Sequence, residues 1–270
     1  MIGIFDSGIG GLTITKEILR QLPEYQLMYL GDTARTPYGN RSQEKIYQFT
    51  VQAVDYLFKQ NCQLVIVACN TASAKALRKL QQEWLPVNYP DKRVLGVIRP
   101  VVEAAVLTTK NKRIGVLGTT ATVNSGAYQR ELKSLKPELS VFVNPAPLLV
   151  PLIEEGWLNR PETARIMRFY LRSLKAQKID TLILGCTHYP MLHKKFQNIC
   201  GKNILVLDVA GAVAEKLKDY LKRHPEIESR LTKGTDHRFL VTDLTPAFSS
   251  TANKWLGQTI DLEKIELSNG

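Results

Sequence analysis

The sequence predicts an α/β protein made of two similar lobes, each a mostly parallel sheet flanked by helices, with the candidate site in the cleft between them. Short apolar runs alternate along the chain with longer segments of helical period. This β–α alternation is typical of parallel sheets covered by helices. A coarse internal repeat and polar residues at the ends of apolar runs indicate the second lobe and the position of the site.

The alternation predicts nine strands, at residues 2–5, 26–30, 63–68, 93–97, 113–117, 139–143, 180–185, 204–207 and 238–242. Helices are predicted at 11–22, 42–60, 72–84, 124–135, 161–177, 190–200, 209–223 and 246–256. The clearest is 42–60, where Ser42 is placed to cap the first turn. Its apolar positions recur at steps of three to four residues, which gives a helix one buried face.

The repeat pairs LVIVACNT (64–71) with LILGCTH (182–188), and their cysteines stand 117 positions apart. A second pair, GIFDSG (3–8) and GVLGTT (115–120), repeats a strand followed by a small hydroxyl-bearing loop. We therefore predict a first lobe of residues 1–95 with 208–270, carrying Asp6 and Cys69. The second lobe, 96–207, would carry Glu154, Cys186 and His188.

Composition limits the classes of function. The chain has 270 residues and a net charge of +11. No apolar run is long enough to cross a membrane, and MIGIFDSG enters a strand pattern without the features of a signal peptide. We therefore expect a cytoplasmic protein without a membrane partner. The lysines are spread along helical segments and no nucleic-acid module is present, so nucleic acid is an unlikely partner and a small anionic substrate is favoured.

The four cysteines do not form a CxxC pair, which argues against a zinc site or a thioredoxin motif, and no metal is expected. Without a secretion signal the thiols should stay reduced. Cys62 and Cys200 have no polar neighbours in sequence, so we interpret them as packing residues.

The glycine-rich loop DSGIGG (6–11) follows a strand and opens a helix, as a dinucleotide-binding loop would. Thr13 stands where that fingerprint needs its third glycine, and the Gly-Lys-Ser/Thr of a phosphate-binding loop is absent. The loop does supply the carboxylate of Asp6 and the hydroxyl of Ser7 at a strand end. Either residue could instead be a simple helix cap.

Cys69 and Cys186 each follow an apolar strand and open a helix, where the helix dipole favours a thiolate. Each could be a packed small residue. A single Cys186–His188 pair would suit acyl transfer through a thioester, but it leaves the second cysteine unexplained. Two thiols from facing lobes suit proton removal on one face of a carbon and proton delivery on the other.

The chain resembles the glutamate racemases of the aspartate/glutamate racemase family. The resemblance rests on GIFDSGIGGLT, YLGDTARTPYG, ACNTASA, GVLGTTATVNSGAY, VPLIEEG and LILGCTHYP, in order, from residue 3 to about 190. It implies a cofactor-independent isomerase that interconverts L- and D-glutamate for peptidoglycan synthesis, by proton transfer through Cys69 and Cys186. Asp6, Glu154 and His188 would assist the two thiols.

The resemblance also implies the substrate contacts, at Asp6, Ser7, Tyr38, Gly39, Asn70, Thr71, Thr187 and His188, with weaker candidates at Thr119 to Thr122. Taken alone, Tyr38-Gly39 after Pro37 also reads as a turn, and His188 could merely close one before Pro190. Glu154 and Glu155 could both be solvated helix-end acids, and the residues themselves do not choose between them.

Three positions depart from the family pattern: Arg99 replaces a usual acid, Ala146-Pro147 lacks a usual cysteine, and Asp208-Val209-Ala210-Gly211 replaces Asp-Ser-Gly. The resemblance further implies a homodimer. Two other functions remain open at this point. One is a racemase or decarboxylase of the same family acting on another small acid such as aspartate, and the other is a DNA-directed binding role.

Overall fold

In the computed structural model, which describes residues 1–267, the chain forms two parallel β-sheets flanked by helices. The first sheet has six strands: β1 Ile2–Asp6, β2 Leu27–Gly31, β3 Leu64–Val67, β4 Arg93–Gly96, β9 Arg238–Val241 and β10 Leu262–Lys264. Their order is β10-β9-β2-β1-β3-β4, and every named pairing is parallel.

The second sheet has four strands: β5 Arg113–Gly118, β6 Ser140–Pro145, β7 Thr181–Gly185 and β8 Leu205–Val206. Their order is β6-β5-β7-β8, again with parallel pairing throughout. In β1, β2, β3 and β7 every residue is buried, as expected for strands covered by helices on both faces. The predicted fold class is confirmed.

The helices that cover the sheets are α1 Leu12–Gln21, α2 Gln43–Lys59, α3 Asn70–Lys75, α4 Leu77–Lys79, α5 Leu85–Asn88, α6 Ile98–Thr108, α7 Thr120–Asn124, α8 Ala127–Leu135, α9 Leu149–Glu154, α10 Pro161–Ala176, α11 His193–Cys200, α12 Val209–Arg223, α13 Pro225–Glu228 and α14 Pro246–Leu256. The predicted cap of α2 is confirmed, since the Ser42 hydroxyl accepts a hydrogen bond from the Lys45 amide at 3.3 Å. That bond satisfies one of the free amides of the first turn.

Several predictions of local structure were wrong, and the short helices α7, α9 and α13 were not predicted. The helix predicted at 72–84 is divided into α3, α4, a π-helical turn at Leu80–Trp84 and α5. Helix α6 was missed because Pro100 and a run of valines disguise it, although proline is tolerated in a first helical turn. Strand β10 was missed because it has three residues and two of them are charged.

The tail of the chain returns to the first sheet, where β9 pairs with β2 and β10 with β9. Helix α12, just before this return, packs against both α1 and α6. The limits of the two domains, at residues 95 and 208, stay a prediction. Within residues 1–267, no helix is long and apolar enough to cross a membrane.

Candidate active site

Three strand ends carry the central residues of the site. Strand β1 ends at Asp6, β3 leads directly to Ala68 and Cys69, and β7 leads to Cys186. Because β1 and β3 pair in parallel with Phe5 opposite Val67, Asp6 and Cys69 lie at the same edge of the first sheet. Cys186 occupies the corresponding edge of the second sheet, in agreement with the expectation that polar groups collect at the carboxyl ends of parallel strands.

Cys69 lies in a closed environment. Its thiol is buried and donates a hydrogen bond to the Ser7 hydroxyl at 3.4 Å. Burial, followed by the negative charge of Asp6, raises the pKa of Cys69 to about 12. At neutral pH Cys69 therefore carries its proton and can act as an acid.

Asp6 is fully buried and is held from both lobes. Its carboxylate accepts hydrogen bonds from the Gly8 amide at 3.0 Å and from the Thr187 hydroxyl at 3.1 Å. Burial raises the pKa of Asp6, and the charge of His188 and these hydrogen bonds oppose the rise. The carboxyl is thus the acid–base neighbour of Cys69.

Cys186 has a different neighbourhood. Its sulfur lies 3.8 Å from Nδ1 of His188, whose Nε2 lies 2.9 Å from Oε1 of Glu154. Burial acts to lower the pKa of His188, but the hydrogen bonds to Cys186 and Glu154 outweigh it and raise the pKa to about 10. A protonated imidazole therefore stands beside the Cys186 sulfur at neutral pH.

Glu154, with 38% of its side chain exposed, connects this pair to solvent. It lines a cavity of about 240 Å³ together with Gly8, Thr36 and Phe248. The neighbouring Glu155 makes no side-chain hydrogen bond or ion pair within residues 1–267, so the geometry distinguishes two acids that the sequence did not. Trp255, from the tail of the chain, packs edge-on against His188 with ring centroids 5.9 Å apart.

The glycine-rich loop brings the two lobes together. A Cβ atom on Gly10 would lie 2.3 Å from the Thr187 hydroxyl and 2.6 Å from Nδ1 of His188. Thr13 reinforces the contact, since its hydroxyl donates to the Gly10 carbonyl at 2.8 Å and lies 3.1 Å from the Thr187 carbonyl. Gly10 thus permits the close approach of the Cys186–His188 segment. This contact accounts for a glycine at position 10 of the loop without a bound phosphate.

Amide and hydroxyl groups line the other side of the cleft. The Thr71 hydroxyl lies 2.9 Å from that of Thr119 and 3.2 Å from that of Thr122. The buried Asn70 side chain accepts a hydrogen bond from the Tyr128 hydroxyl at 2.6 Å. Its Nδ2 is buried and has no hydrogen-bond partner among residues 1–267, which is costly unless a ligand accepts from it.

Tyr38 does not present its hydroxyl to the cleft. That hydroxyl donates to Asp32 at 2.5 Å, and the ring packs between Phe5 and Phe49. A Cβ on Gly39 would lie 3.2 Å from Cβ of Thr119, so the Tyr38–Gly39 segment reaches the second lobe at close range. The substrate contacts predicted at these two positions stay a prediction, and for Tyr38 they are restricted to the backbone and the ring.

The remaining predicted positions lie apart from the cleft. Cys62 and Cys200 are buried without a side-chain hydrogen bond to their sulfur among the described residues, and burial raises the pKa of each to about 11. Within residues 1–267 no group of three or more His, Cys, Asp or Glu side chains is arranged to hold a metal. Arg99 lines a separate cavity of about 660 Å³, where it pairs with Glu103 and Glu131.

Sequence reasoning missed Thr13, Trp255 and the roles of Tyr128 and Asp32. The hydrogen bonds Thr13–Thr187, Tyr38–Asp32 and Tyr128–Asn70 join residues that are 174, 6 and 58 positions apart in the chain. No local sequence pattern identifies such pairs. Thr13, Asp32 and Tyr128 did have a signal, because they lie in the segments GIFDSGIGGLT, YLGDTARTPYG and GVLGTTATVNSGAY, whereas Trp255 lies outside every such segment.

Comparison with known proteins decides the family. The model of the Asp/Glu/Hydantoin racemase family matches residues 2–217. This chain belongs to that family. The racemase is 43% identical over 268 residues to the glutamate racemase of Persephonella marina, covering 99% of this chain and 97% of the relative.

Solved structures of racemases agree with this assignment. A glutamate racemase isoform from Bacillus anthracis superimposes with a TM-score of 0.91 at 35% identity, covering 99% of this chain and 97% of that chain. The glutamate racemase from Francisella tularensis, solved in complex with D-glutamate, gives a TM-score of 0.89 at 34% identity, covering 100% and 98%. The resemblance predicted from sequence is therefore confirmed, and the protein is an amino-acid racemase, an isomerase.

Proposed function

We propose that this racemase interconverts L- and D-glutamate by two-base proton transfer at Cα, without a cofactor. The observation that carries the proposal is the pair of buried thiols, Cys69 and Cys186, each supplied from a different lobe and each with its own acid–base neighbour. The charge of Cys186 contributes to the raised pKa of Cys69, which supports an electrostatic interaction between the two thiols.

The substrate would be held by neutral donors and one buried acid. The free Nδ2 of Asn70 and the hydroxyls of Thr71, Thr187 and Ser7 suit carboxylate oxygens. Asp6 is the acceptor available to an ammonium group in addition to its role beside Cys69. The Asn70 amide supports this assignment most strongly, because an unpaired buried donor is satisfied when a carboxylate binds.

In one direction of the reaction the Cys186 thiolate removes the Cα proton, and the electron pair of the broken C–H bond stays on the substrate. The Cys69 thiol then donates its proton to the opposite face, so one C–H bond forms for the one that breaks. Protonated His188 keeps a positive charge beside the Cys186 sulfur while that sulfur gains or loses a proton. Glu154 orients His188 through a hydrogen bond to Nε2. The reverse reaction exchanges the roles of the two thiols, which like residues allow.

We further propose that the product serves peptidoglycan synthesis, and that the enzyme works in the cytoplasm as a homodimer. Support for the first statement comes from the relatives named glutamate racemases that match nearly the whole chain. The dimer stays a prediction drawn from the resemblance.

Incubation of the purified protein with D-glutamate in deuterated water, with no added cofactor, tests the proposal. We expect optical activity to disappear while deuterium enters at Cα. A parallel reaction with D-aspartate is the control for substrate class, and we expect it to be much slower. Faster turnover of aspartate would overturn the substrate assignment, and a requirement for pyridoxal phosphate would overturn the cofactor-free mechanism.

A further inference from the structure

The positive charge of the protein is concentrated in one lobe. Residues 96–207, which contain the four-stranded sheet, hold 16 Lys and Arg against 7 Asp and Glu, whereas the whole chain holds 36 against 25. The second lobe therefore carries +9 of the net charge of +11. The charge is therefore not spread evenly along the chain. The positive electrostatic potential of the second lobe would attract anionic partners.

Helix α10 displays much of this charge in one row. Its inner face is buried through Met167, Leu171 and Leu174. Arg165, Arg168 and Arg172 are exposed, and their spacing of three and four residues puts them on one outer face. None of the three has an ion pair or a hydrogen bond within residues 1–267, so their charge is available to a partner.

Large apolar side chains flank this row. Phe169, on the same helix, is 66% exposed, Leu148 is 54% exposed and Trp157 is 42% exposed. Phe169 lines a groove of about 560 Å³ with Pro147, the chain neighbour of Leu148. Trp157 lies in the turn that precedes α10, where the Arg160 guanidinium is 5.9 Å from the centre of its ring. Exposed apolar groups beside unpaired arginines mark an interaction surface.

We propose that this surface, formed by Arg165, Arg168, Arg172 and the flanking Leu148, Trp157 and Phe169, docks on an anionic phospholipid bilayer, although the sequence alone predicted no membrane partner. Arginines on the helix would bind lipid phosphates, and the apolar side chains would enter the headgroup region, as in other peripheral proteins. Nucleic acid would satisfy the arginines but leave the three apolar side chains without an apolar partner.

Vesicle sedimentation tests the proposal. Phosphatidylcholine vesicles with and without phosphatidylglycerol are mixed with the full chain at low and at physiological salt. We expect binding only to vesicles that contain phosphatidylglycerol, and binding that weakens as salt rises. Replacing Arg165, Arg168 and Arg172 by Glu should weaken it at least about 100-fold, from roughly fivefold for each cation lost.

The matched control replaces three exposed lysines outside this lobe, Lys45, Lys218 and Lys222, by Glu. It changes the net charge equally and should keep most of the binding. Phe169→Ser should weaken binding without altering its salt dependence, and the emission of Trp157 should shift to the blue on anionic vesicles, a shift that Trp157→Phe abolishes. Circular dichroism and racemase activity confirm that each variant is folded.

Several results would overturn the proposal. The first is an absence of binding to anionic vesicles by the wild type. The second is an equal loss of binding in the arginine variant and in the lysine control, which would reduce the effect to net charge. The third is self-association that the arginine variant abolishes without vesicle binding, and the fourth is tighter binding to DNA than to vesicles.

Discussion

The two halves of the cleft hold chemically identical thiols in opposite surroundings. Around Cys69 the acid–base neighbour is the carboxyl of Asp6, which is fully buried and accepts hydrogen bonds from Gly8 and Thr187. Around Cys186 the neighbour is a cation, His188, whose partner Glu154 reaches a cavity. Burial and Asp6 raise the pKa of Cys69, whereas the hydrogen bonds to Cys186 and Glu154 raise the pKa of His188.

This difference suits the resting state that a two-base reaction needs, with one thiol ready to donate a proton and the other ready to accept one. Two like residues in like surroundings would both be protonated at neutral pH, since an unperturbed thiol titrates near 8.5. Under the proposed mechanism, the different neighbours of the two thiols would divide these roles. The predictions below test this division, beginning with the largest expected effect.

Removal of either thiol should have the largest effect. Cys69→Ala and Cys186→Ala should each lower kcat for racemisation by about 10²–10⁴-fold, because each removes one general acid–base group. Polarimetry with D- and L-glutamate measures both directions. Cys62→Ala and Cys200→Ala are the controls, since these buried thiols lie outside the cleft, and their kcat should stay near that of the wild type. If the Cys69→Ala enzyme racemised glutamate at the wild-type rate, Cys69 would not be one of the two acid–base groups.

The stability of the protein should fall at alkaline pH through His188. Its pKa is raised from 6.5 to about 10, so its contribution is complete below pH 6.5 and is lost as pH rises towards 10. Chemical denaturation from pH 8.5 to 10 should show the free energy of unfolding decreasing by up to about 1.4 kcal/mol per pH unit, because in this range a thiol is already ionised in the unfolded chain and the proton on His188 alone distinguishes the two states. The His188→Asn variant should lack this slope, and a wild-type curve that is flat over the same range would argue against a charged His188.

Gly10→Ala should impair the contact between the lobes. The added Cβ would lie 2.3 Å from the Thr187 hydroxyl, so the Cys186–His188 segment must move. We expect kcat to fall about 10- to 100-fold, since displacements near 1 Å cost about this much. Gly8→Ala is the matched control, because its Cβ would meet Thr36 at an ordinary 3.4 Å, and equal effects of the two changes would contradict the steric explanation.

Glu154→Gln should have the smallest effect of the four. The amide can still bond to His188 but removes the negative charge that holds the imidazolium, so kcat should fall about 10-fold, as expected for loss of roughly 1.4 kcal/mol. The Glu155→Gln enzyme should match the wild type. If the two variants behave alike, the geometric distinction between these acids has no functional meaning.

Sequence reasoning predicted the parts of this molecule that depend on local pattern. Buried strands such as β3 and β7 are continuous apolar runs, and the cap at Ser42 follows from one hydroxyl before an amphipathic helix. The positions of Cys69 and Cys186 at strand ends followed from the same runs. Helix α6 failed the same test because Pro100 and the neighbouring valines resemble a strand and its turn.

The geometry between the lobes could not be predicted from such patterns. Asp6 bonds to Thr187 across 181 positions, and Tyr128 bonds to Asn70 across 58. The reason for Gly10 appears only when Thr187 and His188 are placed against it. Local pattern thus located the thiols, and tertiary contacts determined which of them lies beside Asp6 and which beside His188.

The most direct test of the two-thiol account is a single turnover of Cα-deuterated D-glutamate in ordinary water, with excess enzyme and mass analysis of the L-glutamate formed. If one thiol removes the deuteron and the opposite thiol delivers its own proton, the L-glutamate carries no deuterium at Cα. L-glutamate that retains the deuterium would show that a single group both removes and returns it, and would contradict the account.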